Sequence, residues 1–225
     1  MATMKKIDSS RMGEMNEGKL LLSMAVPIML SMLVQALYNV VDSIFVARVS
    51  EDCLSALSLA FPAQNIMIGL GTGTGVGVST LVSRALGRGD GKQASRVAGI
   101  AGFLSVCCWA LMALFGLFGA DAFIHSQTDL PGIRHYADDY LRIVTIGSFF
   151  LYFEITVERL LQSTGLTKLS MWTQMIGAVT NIVLDPIFIL SGGDKLFFFR
   201  LPFGFGMGVA GAAIATVLGN VLSVA

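Results

Sequence analysis

Apolar residues in this chain come in long runs, and the polar and charged residues collect in short stretches between them. The runs cover about Leu20–Val49, Leu54–Val82, Val97–Phe118, Tyr136–Leu161, Leu169–Leu190 and Gly206–Ala225. Each is roughly 20 residues or longer, the length a helix needs to cross the hydrocarbon core of a bilayer. In lipid every backbone N–H and C=O must be satisfied within the protein, which favours helices over open strands. The pattern therefore predicts an all-α integral membrane protein, with six transmembrane helices forming one bundle.

Composition supports a membrane protein. Hydrophobic residues make up 54% of the 225 positions, charged residues 13%, and the mean hydropathy is +0.73. A soluble domain carries about 25% charged residues. A formal net charge of zero leaves no electrostatic footprint for nucleic acid. Cys53, Cys107 and Cys108 form no disulfide framework and read as small packing residues. Residues 1–19 mix Lys5, Lys6, Arg11 and Lys19 with Asp8, Glu14 and Glu17. The apolar run that follows is too long for the core of a cleavable signal peptide, so these residues read as a cytoplasmic tail. The tail, the segment RALGRGDGKQASR (84–96) and the turn near Arg159 and Lys168 together hold ten Lys and Arg. The opposite loops hold five: Arg48, Arg134, Arg142, Lys195 and Arg200. That bias predicts both termini on the cytoplasmic side of the cell membrane, with odd-numbered spans running outward.

Two aspartates interrupt the apolar runs. Asp42 lies roughly 12 Å past the middle of the first span and Asp185 roughly 9 Å past the middle of the fifth, at 1.5 Å per residue. Both are expected in the outer half of the membrane. Each closes a polar stripe at helical spacing: Ser31, Gln35, Asn39 and Asp42 in the first span, and Ser170, Gln174, Gly177, Asn181 and Asp185 in the fifth. Such stripes are expected to face the bundle interior or a water-filled cavity. For Gln35 and Gln174 the simpler role is a polar seam between helices. An aspartate costs roughly 2.5–3.5 kcal/mol at mid-membrane on insertion scales, and packing can use Asn instead. No fixed cation partner is evident at that depth. Asp42 and Asp185 are thus candidates to carry a proton, or to bind a small cation such as Na+ with Asn181. Pro186 frees a backbone carbonyl one turn back as a further oxygen ligand.

Other motifs are weaker. GLGTGTGVGVST (69–80) fits no phosphate-binding fingerprint. As a helix it places Gly69, Gly73 and Gly77 on one face and Gly71, Gly75 and Ser79 on a neighbouring one, which predicts close helix approach on two sides. Gly211, Ala215 and Gly219 do likewise in the sixth span. Glu154 lies deeper in the fourth span and is a candidate functional acid, whereas Glu158 and Arg159 are expected to snorkel or pair near the interface. His125 and His135, near Asp121 and Asp129 in loop 119–135, read as solvated rather than metal-binding. The segment KLFFFRLPFGFG (195–206) reads as an interfacial aromatic stretch.

The run AVPIMLSMLVQALYNVVDSIFVARV, followed by LSALSLAFPAQNIMIGLGTGTGVGVSTLVSRALGRGD, RLLQSTGLTKLS and NIVLDPIFI in that order, resembles the multidrug and toxic compound extrusion (MATE) transporters. The resemblance covers about residues 15–225 and corresponds to the N-terminal six-helix lobe, residues 20–225. The family implies a twelve-helix, two-lobe transporter, and its C-terminal lobe is a partner absent from this sequence. It also implies a small-molecule substrate, often an organic cation, exported against protons or sodium ions, with no cofactor and no enzymatic reaction. Asp42, Asn181 and Asp185 match the family's N-lobe coupling site, and Pro27 matches the first-helix proline associated with bending. A lipid or polysaccharide-precursor flippase of the same superfamily would favour cationic residues in the spans, which are almost lacking here. An intramembrane aspartyl protease is a remoter reading, because GRGD (87–90) falls in the basic loop, on the opposite side from Asp42 and Asp185.

Overall fold

The computed structural model describes residues 16–191, the backbone of 195–196 and 199–200, and residues 204–224. The helices are α1 (Glu17–Val49), α2 (Glu51–Gly87), α3 (Gly91–Phe118), the short α4 (Ala120–His125), α5 (Pro131–Ser163), α6 (Thr167–Ile189) and α7 (Gly208–Val224). All six expected spans are present. Five are long and apolar enough to cross a membrane, while α7 is a shorter apolar helix of 17 residues. The sequence reading placed the start of the sixth span at Gly206. The helix starts at Gly208 instead, because both glycines hold positive φ, 62° and 56°, outside the helical region.

Local chemistry sets the helix ends. Asn16 caps α1 by accepting from the Gly18 amide, so this helix starts at Glu17, inside the stretch read as tail. Ser50 alone links α1 to α2, and its side chain accepts from the Cys53 amide. Asp90 caps α3 by accepting from the Gln93 amide at 2.9 Å. Its place in GRGD is therefore a turn and cap, with Gly89 supplying φ 73°. Pro131 opens α5, where its missing N–H costs nothing.

The helices do not pack equally. α5 is central, bearing on α2, α3 and α7, whereas α1 packs chiefly on α6 and touches α2 and α7 only locally. Small residues set the close crossings. A Cβ on Gly71 would meet Tyr152 and Ile155 of α5, and one on Gly75 would meet Arg159 at 2.7 Å. Gly116 yields space to Thr145, and Gly147 to Val217. At the α6–α7 crossing, a Cβ on Gly177 would stand 3.1 Å from Ser223 Cβ and 3.3 Å from the Gly219 carbonyl. Gly211, Ala215 and Gly219 are all buried, as expected. The other glycine face of α2 differs from expectation: among the described residues, nothing packs on Gly69, Gly73 or Gly77.

The main core gathers at the end where α1 meets α2, around Phe45, Val46, Ala56, Leu141, Val144, Ile189 and Val209. A smaller cluster of Val78, Val82, Ala85, Ala94 and Ala101 fills the opposite end between α2 and α3. Cys53 is buried and Cys108 half-buried, but Cys107 is exposed and does not pack within the lobe. Before α7, a two-stranded antiparallel hairpin pairs Lys195 with Arg200 and Leu196 with Phe199. The aromatic segment 195–206 lies partly outside the described residues. Its described end zips back onto α6: the amides of Phe205, Gly206 and Met207 donate to the carbonyls of Ile187, Leu190 and Phe188. Carbonyls near the end of α6 are thereby satisfied.

Candidate functional site: a carboxylate pair between the first and fifth spans

α6 positions Asp185. The helix is flanked by α1 and α7, so its polar stripe faces protein. Ser170, Gly177, Asn181 and Asp185 are buried and Gln174 is half-buried, as the spacing predicted. Asp185 is 0% exposed. Asn181 stands one turn before it. With its amide nitrogen turned toward the carboxylate, Asn181 donates to Oδ2 at 2.7 Å and to Oδ1 at 3.1 Å, while its oxygen accepts from the Thr216 backbone amide at 3.2 Å. The hydrogen-bond neighbours assign that orientation, because it gives both ends of the amide a complementary partner.

α1 positions Asp42, which is 7% exposed and within electrostatic reach of Asp185. Its Oδ1 is buried and has no hydrogen-bond partner. The two carboxylates that the sequence paired across two helices do therefore share one region. Among the described residues, no lysine or arginine acts electrostatically on either.

The rest of the first-span stripe is divided. Ser31 is buried, but Gln35 and Asn39 are exposed on the lobe surface. The buried line of α1 runs instead through Pro27, Ser31, Tyr38 (half-buried), Asp42 and Phe45. The reason is positional: α1 packs chiefly on one neighbour, so only a narrow strip is covered. Gln35 still borders the site, beside the Tyr38 side chain. Pro27 is buried inside a continuous α1.

The sequence reading missed two tyrosines. Tyr38 acts electrostatically with Asp42, Asp185 and Glu154. Tyr140 of α5 is 2% exposed, accepts a hydrogen bond from Gln64 Nε2 at 2.8 Å, and lies in the field of both aspartates. Tyr38 sits four residues before Asp42, so helical spacing alone could have found it. Tyr140 has no such local signal, because its contacts come from other helices.

Glu154 is half-buried, and its Oε1 accepts from Ser223 Oγ of α7. Glu158 and Arg159, expected to snorkel or pair, are joined through a neighbour. Gln162 bridges them, donating to Glu158 Oε1 at 2.7 Å and accepting from Arg159 Nη1 at 3.1 Å. Gln174 lies beside Glu158, with one buried oxygen unpartnered.

In the loop before α5, Arg134 donates to Asp121 at 2.8 Å, and that bond holds the Asp121 carboxyl below the usual carboxylate range. His135 is well exposed, 3.5 Å from Asp139. Asp121, Asp129, Pro131, Arg134, His135 and Asp138 line a shallow cleft. Among the described residues, no group of three or more His, Cys, Asp or Glu side chains is placed to hold a metal ion.

Known proteins share this architecture. The family described as MatE matches residues 27–187. The multidrug export protein MepA of Staphylococcus saprophyticus is 25% identical over 200 residues, which is 88% of this chain and 42% of MepA. A solved MOP superfamily transporter from Pyrococcus furiosus, described as having a binding pocket of reverse polarity that suggests a different function, superposes with a TM-score of 0.81. It is 32% identical over 91% of this chain and 42% of its own. An outward-facing multidrug resistance MATE family transporter of the same superfamily matches with a TM-score of 0.81 and 32% identity, over 91% of this chain and 43% of its own. The chain spans less than half the length of these proteins. With that match running through both helices that bear the buried aspartates, this multi-pass membrane protein belongs to the MatE family of transporters and corresponds to the N-terminal portion of its members.

Proposed function

We propose that the transporter containing this lobe exports small organic compounds, cations among them, in exchange for protons or sodium ions, and that Asp42 and Asp185 bind the coupling ion. One observation carries the reading: two buried carboxylates from different helices act on each other in an apolar bundle, and an oxygen of Asp42 has no donor. Two like charges at such a site are costly, and the uptake of a positive ion relieves the repulsion. A proton does so by bonding to a carboxylate oxygen. A sodium ion would need oxygen ligands, for which the site offers both carboxylates, the Thr216 hydroxyl and, once its amide turns over, the Asn181 oxygen. Tyr38 and Tyr140 border this region with phenol groups able to donate to an ionised carboxylate.

Coupling requires the ion and the substrate to differ in their affinity for two arrangements of the protein. α1 is the element suited to rearrange, since it is held chiefly by α6 and carries Pro27, whose ring removes one helical hydrogen bond. Ion binding at Asp42 changes the charge on this weakly held helix. In this reading the transporter sits in the cell membrane with the chain's N-terminus cytoplasmic, the coupling ion enters from outside, and the second lobe completes the substrate cavity.

The test uses the complete protein in vesicles with an imposed proton or sodium gradient. Asp185→Asn and Asp42→Asn retain size and polarity but bind neither ion as a carboxylate does. Gradient-driven export of ethidium is expected to collapse in both at equal protein levels, and near-normal export by both removes the pair from the mechanism. The gradient that supports export in the unmodified protein identifies the ion.

A further inference from the structure

Glu154 is an acidic residue that the Asp42–Asp185 pair does not account for. It lies 14 residues after Tyr140 on α5, so it stands roughly 20 Å further along that helix. α7 runs in the same sense: Thr216 meets Asn181, and Ser223, seven residues or roughly 10 Å further on, meets Glu154. The α6–α7 crossing fixes that second meeting, because Gly177 and Gly219 let the two helices approach and bring Ser223 inward. Glu154 is therefore held at a defined depth, well beyond the aspartates and one turn short of Glu158.

The charged and titratable groups around Glu154 can be named helix by helix. From α1, Tyr38 lies within electrostatic reach of it and of Asp42 and Asp185. From its own helix Glu158 acts on it, with Arg159 engaged by Gln162 beyond. α7 presents the neutral Ser223. α6 brings the neutral Gln174 to the neighbouring Glu158, with its acid, Asp185, far along the helix. α2 and α3 pack on another face of α5, through Tyr152, Ile155, Arg159 and the Ser105–Thr156 hydroxyl pair. Their charges sit in their end turns, at Glu51, Asp52, Arg84, Lys92 and Arg96. The charge acting on Glu154 is thus another carboxylate, and its fixed hydrogen-bond partner is neutral. A carboxylate so placed in a membrane bundle is stabilised by taking a proton.

We propose that Glu154 is a second proton-binding carboxyl of this lobe, held by Ser223 and lying between the Asp42–Asp185 pair and the end of the bundle formed by the α2–α3 turn. Its part in coupling rests on the ion-driven export reading, whereas its protonation does not.

Infrared difference spectra of the complete protein in lipid nanodiscs, recorded between acid and alkaline pH, test the proposal directly. A protonated carboxyl C=O band is expected that disappears in Glu154→Gln and persists in the Asp42→Asn/Asp185→Asn double variant. Should Glu154→Gln fail to assemble, Ser223→Ala is expected to move the band in frequency and in titration midpoint. A pH-dependent carboxyl spectrum unchanged by either substitution overturns the proposal. In vesicles, Glu154→Gln is expected to alter the pH profile of gradient-driven ethidium export, and an unaltered profile removes Glu154 from coupling. Failure of the export reading itself would appear differently, as normal transport by the two aspartate variants with the Glu154 band intact.

Discussion

α1 and α6 carry similar polar stripes, each ending in an aspartate, yet the fold uses them differently. In α6 the stripe is internal: Asn181 is 3% exposed, Asp185 is 0% exposed, and the amide between them has partners at both ends. In α1 the stripe is split. Ser31 and Asp42 turn inward, Gln35 and Asn39 outward, and an oxygen of Asp42 is left without a donor. The difference follows from the number of neighbours. α6 is packed between α1 and α7, while α1 rests on α6 and leaves Leu21, Met29, Leu33 and Leu37 exposed. One aspartate is fixed in a satisfied network and the other rides on a loosely held helix. That asymmetry suits a pair in which one member anchors an ion and the other responds to it.

The strongest way to break this comparison is to remove each acid in turn. Asp185→Asn and Asp42→Asn are each expected to lower gradient-driven export by about tenfold or more, a barrier change of about 1.4 kcal/mol. The double variant is expected to be little worse than either, because groups acting as a unit are not additive. Additive losses would mean that the two acids serve separate steps.

A smaller effect is expected at the helix contact that α6 has and α1 lacks. Gly177→Val inserts carbons where Ser223 and Gly219 leave no room, with an expected overpacking cost of about 1–3 kcal/mol. It should appear as a lower thermal midpoint in detergent. Gly73→Val meets open space in this lobe. An equal loss there would show that the second lobe packs on that face of α2.

The two asparagines sharpen the contrast further. Asn181→Ala strips Asp185 of its donor, and leaving a buried acceptor unsatisfied costs about 1–3 kcal/mol. Asn39→Ala, at an exposed position, is expected to change stability by no more than about 0.5 kcal/mol. Unfolding midpoints of the two variants compare them directly, and equal losses would put Asn39 inside the protein after all.

The smallest expected change lies in the loop before α5. Arg134→Gln should let the Asp121 carboxyl titrate nearer its ordinary value, followed by carboxyl NMR. The sign is fixed: a carboxyl held low in the folded protein favours folding above its unfolded pKa, and that contribution fades as pH falls through the folded value. Asp121 is fully exposed, so stability at neutral pH should hardly move.

Much of this was legible from residue order. The six apolar runs became helices because lipid leaves the backbone no other way to satisfy its hydrogen bonds within one segment. The α6 stripe was legible because a four-residue repeat of small and polar side chains has one face to occupy, and that face was covered. The pairing of Asp42 with Asp185 could be inferred from their similar depth in helices running the same way. Rotation of a helix about its own axis was harder to read. In α1 the apolar residues surround the helix almost evenly, so Gln35 and Asn39 looked as inward as Asp42, and Tyr38 went unnoticed. Only the packing of α1 on α6 decided which strip was covered. Tyr140, the Gly71–Gly75 face against α5, and the Ser223–Glu154 bond likewise needed the tertiary structure, since each joins residues from different helices. A hydropathy pattern registers what lipid demands of each helix separately, and contacts between helices depend on where their neighbours stand.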